Sequence, residues 1–63
     1  MLDWQLRVIE EAKELKIKID KLKPFVESEF FGTLKKDEMY YLERQLEGMI
    51  LYSNAIESRT KTF

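Results

Sequence analysis

The chain has 63 residues, with neither cysteine nor histidine, one proline and two glycines. This length predicts one small domain with a marginal core, because a chain of ~60 residues buries only about 60% of its unfolded surface. Disulfides are excluded and a zinc site nearly so, which leaves self-association as the remaining source of stability. A formal net charge of −1 argues against duplex nucleic acid or an anionic membrane as the main partner.

The first predicted helix runs from Asp3, interpreted as its N-cap, to about residue 30. Pro24 removes a backbone hydrogen bond and predicts a kink. Six residues at spacings of four and three form one apolar stripe: Val8, Ala12, Leu15, Ile19, Leu22 and Val26. Two intrahelical ion pairs are expected, Arg7 with Glu11 and Glu14 with Lys18.

A turn is predicted at about residues 31–35, with Gly32 in a left-handed conformation that ends the first helix. The second helix is predicted at about 36–59, followed by a frayed tail at 60–63. Its stripe comprises Met39, Leu42, Leu46, Met49, Ser53 and Ile56. Because the connection is short, the two helices must be antiparallel. The predicted fold is an all-α, antiparallel two-helix hairpin in a single domain.

Both helices also carry apolar or small residues away from these stripes, and a lone hairpin would leave them in water. The predicted oligomer interface consists of Leu2, Leu6, Ile9, Ile17, Gly48, Leu51 and Ala55. We therefore predict a homo-oligomeric helical bundle. The alternative is that these are the scattered surface leucines and isoleucines of an ordinary monomer.

Catalytic chemistry is not expected, because histidine and cysteine are missing and both glycines stand alone. We predict no enzyme activity, no cofactor and no metal. The longest uncharged apolar run is far shorter than the ~20 residues of a membrane-spanning helix. Met1 and Leu2 are followed at once by Asp3, so no signal peptide is predicted and the cytoplasm is the expected location.

One stripe on the second helix suggests a pocket wall: Tyr41, Gln45, Gly48, Tyr52, Ala55 and Arg59. The predicted ligand-binding residues are Tyr41 and Tyr52 for stacking, Gln45 for hydrogen bonds to a base, and Arg59 with Lys18 for phosphate charge. The alternative interpretation is a polar helix–helix contact inside the oligomer.

The chain resembles a family of short phage helical hairpins, the crAss-phage "related protein" family. The residues that carry the resemblance are 4–11, Glu14-Leu15, Lys18-Ile19, Lys21-Leu22, Phe25-Val26, Phe31, Leu34, Glu38, Leu42, Gln45-Leu46, Met49, Tyr52 and Arg59. Where that family's second helix tends to open with a Ser or Thr cap, this chain has Lys35. The resemblance implies a phage origin and the cytoplasm of the host cell.

The architecture is also similar, more distantly, to phage sponge proteins that defeat CBASS and Thoeris immunity. That similarity implies a homo-oligomer whose inter-subunit pockets hold a cyclic oligonucleotide or a cyclic ADP-ribose isomer without cleaving it. An oligomeric module that binds a host or phage protein is the alternative function. One fold can serve many functions, so both alternatives stay open at this point.

Overall fold

The protein is a pair of long helices joined by a short 3₁₀ turn. In the computed structural model, which describes residues 1–63, α1 spans Asp3–Val26, a 3₁₀ helix spans Phe30–Thr33 and α2 spans Lys36–Thr60. There is no strand. The helices pack against each other in antiparallel directions. The contacts of Trp4 with Phe63 and of Glu11 with Tyr52 show this, since the start of α1 lies beside the end of the chain.

The start of α1 differs from the prediction that Asp3 is the N-cap. Leu2 occupies that position, and Asp3 is already helical in the first turn. The side-chain oxygen of Gln5 accepts a hydrogen bond of 2.9 Å from the Leu2 N–H, which satisfies one backbone donor that the helix leaves free. The Asp3 carboxylate instead lies where the positive end of the helix dipole favours a negative charge.

The end of α1 comes at Val26 rather than near residue 30. The helix continues through Pro24, and the bend expected there remains a prediction. After Val26 the Ser28 side chain forms hydrogen bonds with two backbone groups. Its hydroxyl donates to the Phe25 carbonyl at 2.6 Å and accepts from the Phe31 N–H at 3.3 Å. Such local bonds compete with helix continuation, which explains the earlier end.

The prediction of a left-handed Gly32 was wrong, since no residue in the chain has a positive φ. The turn closes with 3₁₀-type bonds instead. The Gly32 N–H donates to the Glu29 carbonyl and the Leu34 N–H to the Phe31 carbonyl, both at 3.1 Å. These bonds satisfy the carbonyls at the turn, so no left-handed residue is needed.

The core is a thin seam along the two predicted stripes. Ile56 is 4% exposed, and the only other buried residues are Phe31 and Ser53. The remaining stripe residues of both helices are half-buried. Phe31 packs edge-on against Phe25, which closes the turn end of the seam. The spacing of three and four therefore identified the packed faces, although few side chains leave water completely.

Neither predicted intrahelical ion pair forms, and this prediction was wrong. The one ion pair of the chain joins Arg44 and Glu47 at 2.8 Å. Glu11 instead accepts a hydrogen bond from Tyr52 of α2. Exposed i,i+4 pairs contribute only a few tenths of a kcal/mol, so a cross-helix partner readily replaces one.

The tail predicted to fray is held at the open end of the hairpin. The Phe63 ring meets the Trp4 ring edge-on, with centroids 5.3 Å apart. The Thr62 N–H donates to the Arg59 carbonyl at 3.1 Å. An aromatic contact of this kind is worth about 0.5–1.5 kcal/mol beyond the area it buries, which offsets part of the entropy cost of ordering the last residues.

The molecule is a rod of 46 × 15 × 14 Å with a radius of gyration of 14.5 Å, against the roughly 11 Å expected for a compact domain of this length. Leu2, Leu6 and Ile17 are exposed as predicted, whereas Ile9 is half-buried. Neither helix has a stretch long and apolar enough to cross a membrane.

Candidate ligand-binding groove

One long edge of the hairpin collects all five residues predicted to bind a ligand. By the helical angle of 100° per residue they lie on the same side of both helices, and contacts across this side join Glu11 to Tyr52 and Trp4 to Arg59. We call it the Gln45 edge; it comprises Arg7, Lys18, Lys21 and Phe25 from α1 and Tyr41, Gln45, Gly48, Tyr52, Ala55 and Arg59 from α2.

A groove of about 370 Å³ opens on the Gln45 edge toward the turn end of the hairpin. This volume lies at the lower end of the range for small-molecule sites. Its lining combines two cations, one amide and an apolar floor: Lys18, Lys21, Leu22, Phe25, Gln45 and Met49. Two of the five predicted ligand-binding residues, Lys18 and Gln45, therefore line the same groove.

The groove has the chemistry of a site for an anion attached to a flat apolar body. The one ion pair of the chain is Arg44–Glu47, so no carboxylate contacts Lys18 or Lys21. Two ammonium groups without a paired carboxylate favour a phosphate-bearing ligand. The half-buried Phe25 ring, which also packs against the Phe30 and Phe31 rings, adds an apolar contact for a base. The Gln45 amide carries both a donor and an acceptor for a base edge.

Tyr52 is not free in the isolated chain. Its hydroxyl donates to the Glu11 carboxylate, the only side-chain hydrogen bond that joins the two helices. That hydrogen bond is the main cause that raises the pKa of Tyr52; partial desolvation and the negative charge of Glu11 raise it further, and Arg59 opposes them. Tyr52 as a whole residue is nevertheless 51% exposed.

Arg59 and Tyr41 lie at opposite ends of the Gln45 edge. The Arg59 guanidinium lies over the Trp4 ring, 5.6 Å from its centroid. Tyr41 is 68% exposed and contacts the Tyr40 ring edge-on. Eighteen residues of helix separate Tyr41 from Arg59, which corresponds to about 27 Å. A single small ligand cannot touch both in one chain.

Four of the groove residues were absent from the predicted site: Lys21, Leu22, Phe25 and Met49. A sequence signal for two of them existed. Lys18, Lys21 and Phe25 are spaced by three and four, as on one face of a helix. Their meeting with Gln45 depends on the register between the helices, which helical spacing alone does not supply.

Gly48 has no packing role within the chain. A Cβ atom built on it would meet nothing within 4 Å, so the close approach suspected there does not occur in the hairpin. A glycine inside a helix costs about 1 kcal/mol relative to alanine. The single hairpin therefore gives no structural reason for a glycine at this position.

The opposite edge carries a smaller cavity of about 260 Å³. Its lining includes Asp20 and Glu57 but only one cation, Lys16. An anionic ligand would be repelled there. A third depression of about 340 Å³ lies over Glu47, Ile50 and Leu51. Charge thus distinguishes the groove of the Gln45 edge from the other two depressions.

Comparison with known proteins supports the prediction of a small phage protein. A family model described as Sequestin matches residues 2–62. A protein of Enterobacteria phage T4, described as an uncharacterized 7.5 kDa protein in the denB-rIIB intergenic region, is 38% identical over 63 residues, covering 100% of this chain and 98% of the relative. No solved structure matches. The resemblance to the crAss-phage family and to anti-CBASS proteins remains a prediction.

Proposed function

The chain belongs to the Sequestin family, and from this premise we propose that it is a phage counter-defence sponge that binds a cyclic nucleotide immune signal. The ligand class is a cyclic oligonucleotide or a cyclic ADP-ribose isomer. The protein holds it without cleaving it, in pockets between subunits of a homo-oligomer in the host cytoplasm. The family name itself points to sequestration.

The observation that carries the proposal is the groove of the Gln45 edge. It brings Lys18 and Lys21, neither contacted by a carboxylate, beside the apolar floor and the Gln45 amide. Cyclic nucleotide signals combine phosphate charge with a flat base, and each part has a matching side chain there. Sequestration requires affinity alone, and the groove contains no histidine or cysteine to start a reaction.

Replacing both groove lysines tests the site. Lys18→Ala/Lys21→Ala should weaken binding of a cyclic dinucleotide, such as cyclic GMP–AMP, at least about tenfold, because hydrogen bonds to charged groups contribute about 1.5–3 kcal/mol. Isothermal titration calorimetry measures the change, with a cyclic ADP-ribose isomer titrated in parallel. Lys13→Ala/Lys16→Ala is the matched control, since it removes the same charge away from the groove.

The control should change the dissociation constant less than about threefold, as expected of distant, screened charges. Equal losses in both double variants would mean that attraction is general and that the groove is not the site. If the wild type binds no ligand of either class, the proposal fails. Sequestration is tested by denaturing the complex and measuring the mass of the released ligand by mass spectrometry. A cleaved product would contradict sequestration.

A protein-interaction module is the second candidate, and the exposed apolar residues of α1 favour it. Leu2 is 61% exposed, Ile17 is 54% exposed and Leu6 lies between them. Such a face can dock in an apolar groove of a partner. Pull-down from infected cells distinguishes the two functions: a stoichiometric protein partner lost in Leu6→Glu but kept in Lys18→Ala/Lys21→Ala would favour the module.

A further inference from the structure

Gly48 lies at the midpoint of α2, with twelve helical residues on either side, since the helix spans residues 36–60. It is exposed on the Gln45 edge, and the space that a side chain would fill is empty. Glycine destabilises a helix interior relative to alanine. A second helix that crosses α2 at this point would explain the glycine, because a residue without a side chain lets two helix axes approach closely.

The residues on either side of Gly48 complement each other in an antiparallel pairing. When two α2 helices cross antiparallel at Gly48, the paired residue numbers add up to 96. Tyr41 of one copy then lies opposite Ala55 of the other, a large ring beside a small side chain. Asp37 lies opposite Arg59, so opposite charges meet at both ends of the pairing. A two-fold axis creates each of these contacts twice.

We propose that α2 pairs with α2 of a second copy in an antiparallel two-fold dimer centred on Gly48, and that Tyr52 of the second copy forms the third wall of the groove. In this register Gln45 of one copy lies opposite Leu51 of the other. Tyr52, the next residue of that second copy, lies on the stripe of α2 that faces Gln45. This dimer rests on the proposed function, which requires the protein to self-assemble. Its interface is the surface that would turn the open groove into a pocket between subunits.

Exposure and charge both favour this surface as a contact between copies. Tyr41 and Tyr52 are 68% and 51% exposed in the single chain, although both carry large apolar rings. The opposite edge of α2 is unsuitable for self-pairing, because it carries Glu43, Glu47 and Glu57, which would face like charges of the other copy. In the pairing centred on Gly48, Asp37 and Arg59 instead place one charge of each sign near the two ends of α2, where each faces its opposite in the other copy.

A bulky side chain at Gly48 separates a role in the hairpin from a role in the dimer. Gly48→Leu meets open space within the chain, so the hairpin should keep its helicity by circular dichroism. In the dimer it should weaken association at least tenfold, measured by sedimentation velocity across a concentration series. Asn54→Leu, also at an exposed position but on the opposite edge of α2, is the matched control and should leave association within about threefold.

Charge reversal tests the register itself. Asp37→Arg places arginine against arginine in its own dimer, and Arg59→Asp places aspartate against aspartate, so each alone should associate at least about threefold more weakly. Their equimolar mixture opposes arginine to aspartate at both ends. Native mass spectrometry should therefore show the mixed dimer in excess over the statistical half of all dimers.

Each outcome decides the proposal. Loss of association in Gly48→Leu but not in Asn54→Leu, together with an excess of the mixed dimer, supports it. A monomeric wild type at 100 µM, unchanged association in Gly48→Leu or a statistical mixture overturns it. If the wild type binds the cyclic dinucleotide while Gly48→Leu still associates, the interface is wrong and the function stands. If the predicted dimer forms and no cyclic nucleotide binds, the function fails and the interface stands.

Discussion

At the scale of single residues, Tyr52 connects the two helices through its hydrogen bond to Glu11. The bond requires the phenol to keep its proton. Because the pKa of Tyr52 is raised in the fold, chiefly by this bond, the protonated phenol is favoured in the folded state over the unfolded one. The contribution to stability is therefore fully present below the ordinary tyrosine pKa of about 10 and is lost as the pH rises through the raised value.

Tyr52→Phe removes the hydroxyl and keeps most of the ring. The difference in free energy of unfolding between wild type and variant should stay constant from pH 7 to about 9 and shrink above pH 10. Urea unfolding followed by circular dichroism at each pH measures it. Tyr40→Phe, whose hydroxyl makes no hydrogen bond in the chain, is the control for removing a hydroxyl and should leave the free energy of unfolding close to the wild-type value at pH 7. A difference that grows with alkaline pH would contradict the assignment.

At the scale of elements, the turn brings two adjacent phenylalanine rings against Phe25, and only one of them is buried. Phe31 is 7% exposed and packs edge-on against Phe25, whereas its neighbour Phe30 is 64% exposed. These two adjacent phenylalanines provide a matched pair, because the same substitution removes the same atoms from a buried and an exposed position. The buried ring closes the end of the seam between α1 and α2.

Phe31→Ala should lower the free energy of unfolding by about 3 kcal/mol, the lower end of the range for a buried phenylalanine, because the thin seam leaves it partly hydrated. Phe30→Ala should lower it by less than about 1 kcal/mol. Thermal and urea unfolding of the two variants compare the losses. Similar losses at both positions would mean that the turn is closed by backbone bonds alone.

At the scale of the whole molecule, the single hairpin buries very little of its chain. Only three of 63 residues are buried, and eleven large apolar side chains are exposed. A domain of this length has only about 3–9 kcal/mol of stability even when it is compact. The proposed association of copies would add burial that the single hairpin lacks.

The melting temperature should therefore rise with protein concentration, because the folded assembly is favoured by mass action and the unfolded chain is not. Differential scanning calorimetry between about 10 and 500 µM measures the shift, which should reach several degrees for a domain of this size. Gly48→Leu should lose much of this dependence. A wild-type melting temperature that does not change over this range would contradict self-association.

Helical spacing was sufficient to identify the two helices and their buried stripes, because a period of 3.6 residues places every third or fourth side chain on one face in any context. It could not supply the interactions across the hairpin. Tyr52 binds Glu11, Arg59 covers Trp4, and Lys21 with Phe25 joins Gln45 through the register that the turn imposes. Those pairings depend on which residues of two distant segments meet, and tertiary packing alone sets them.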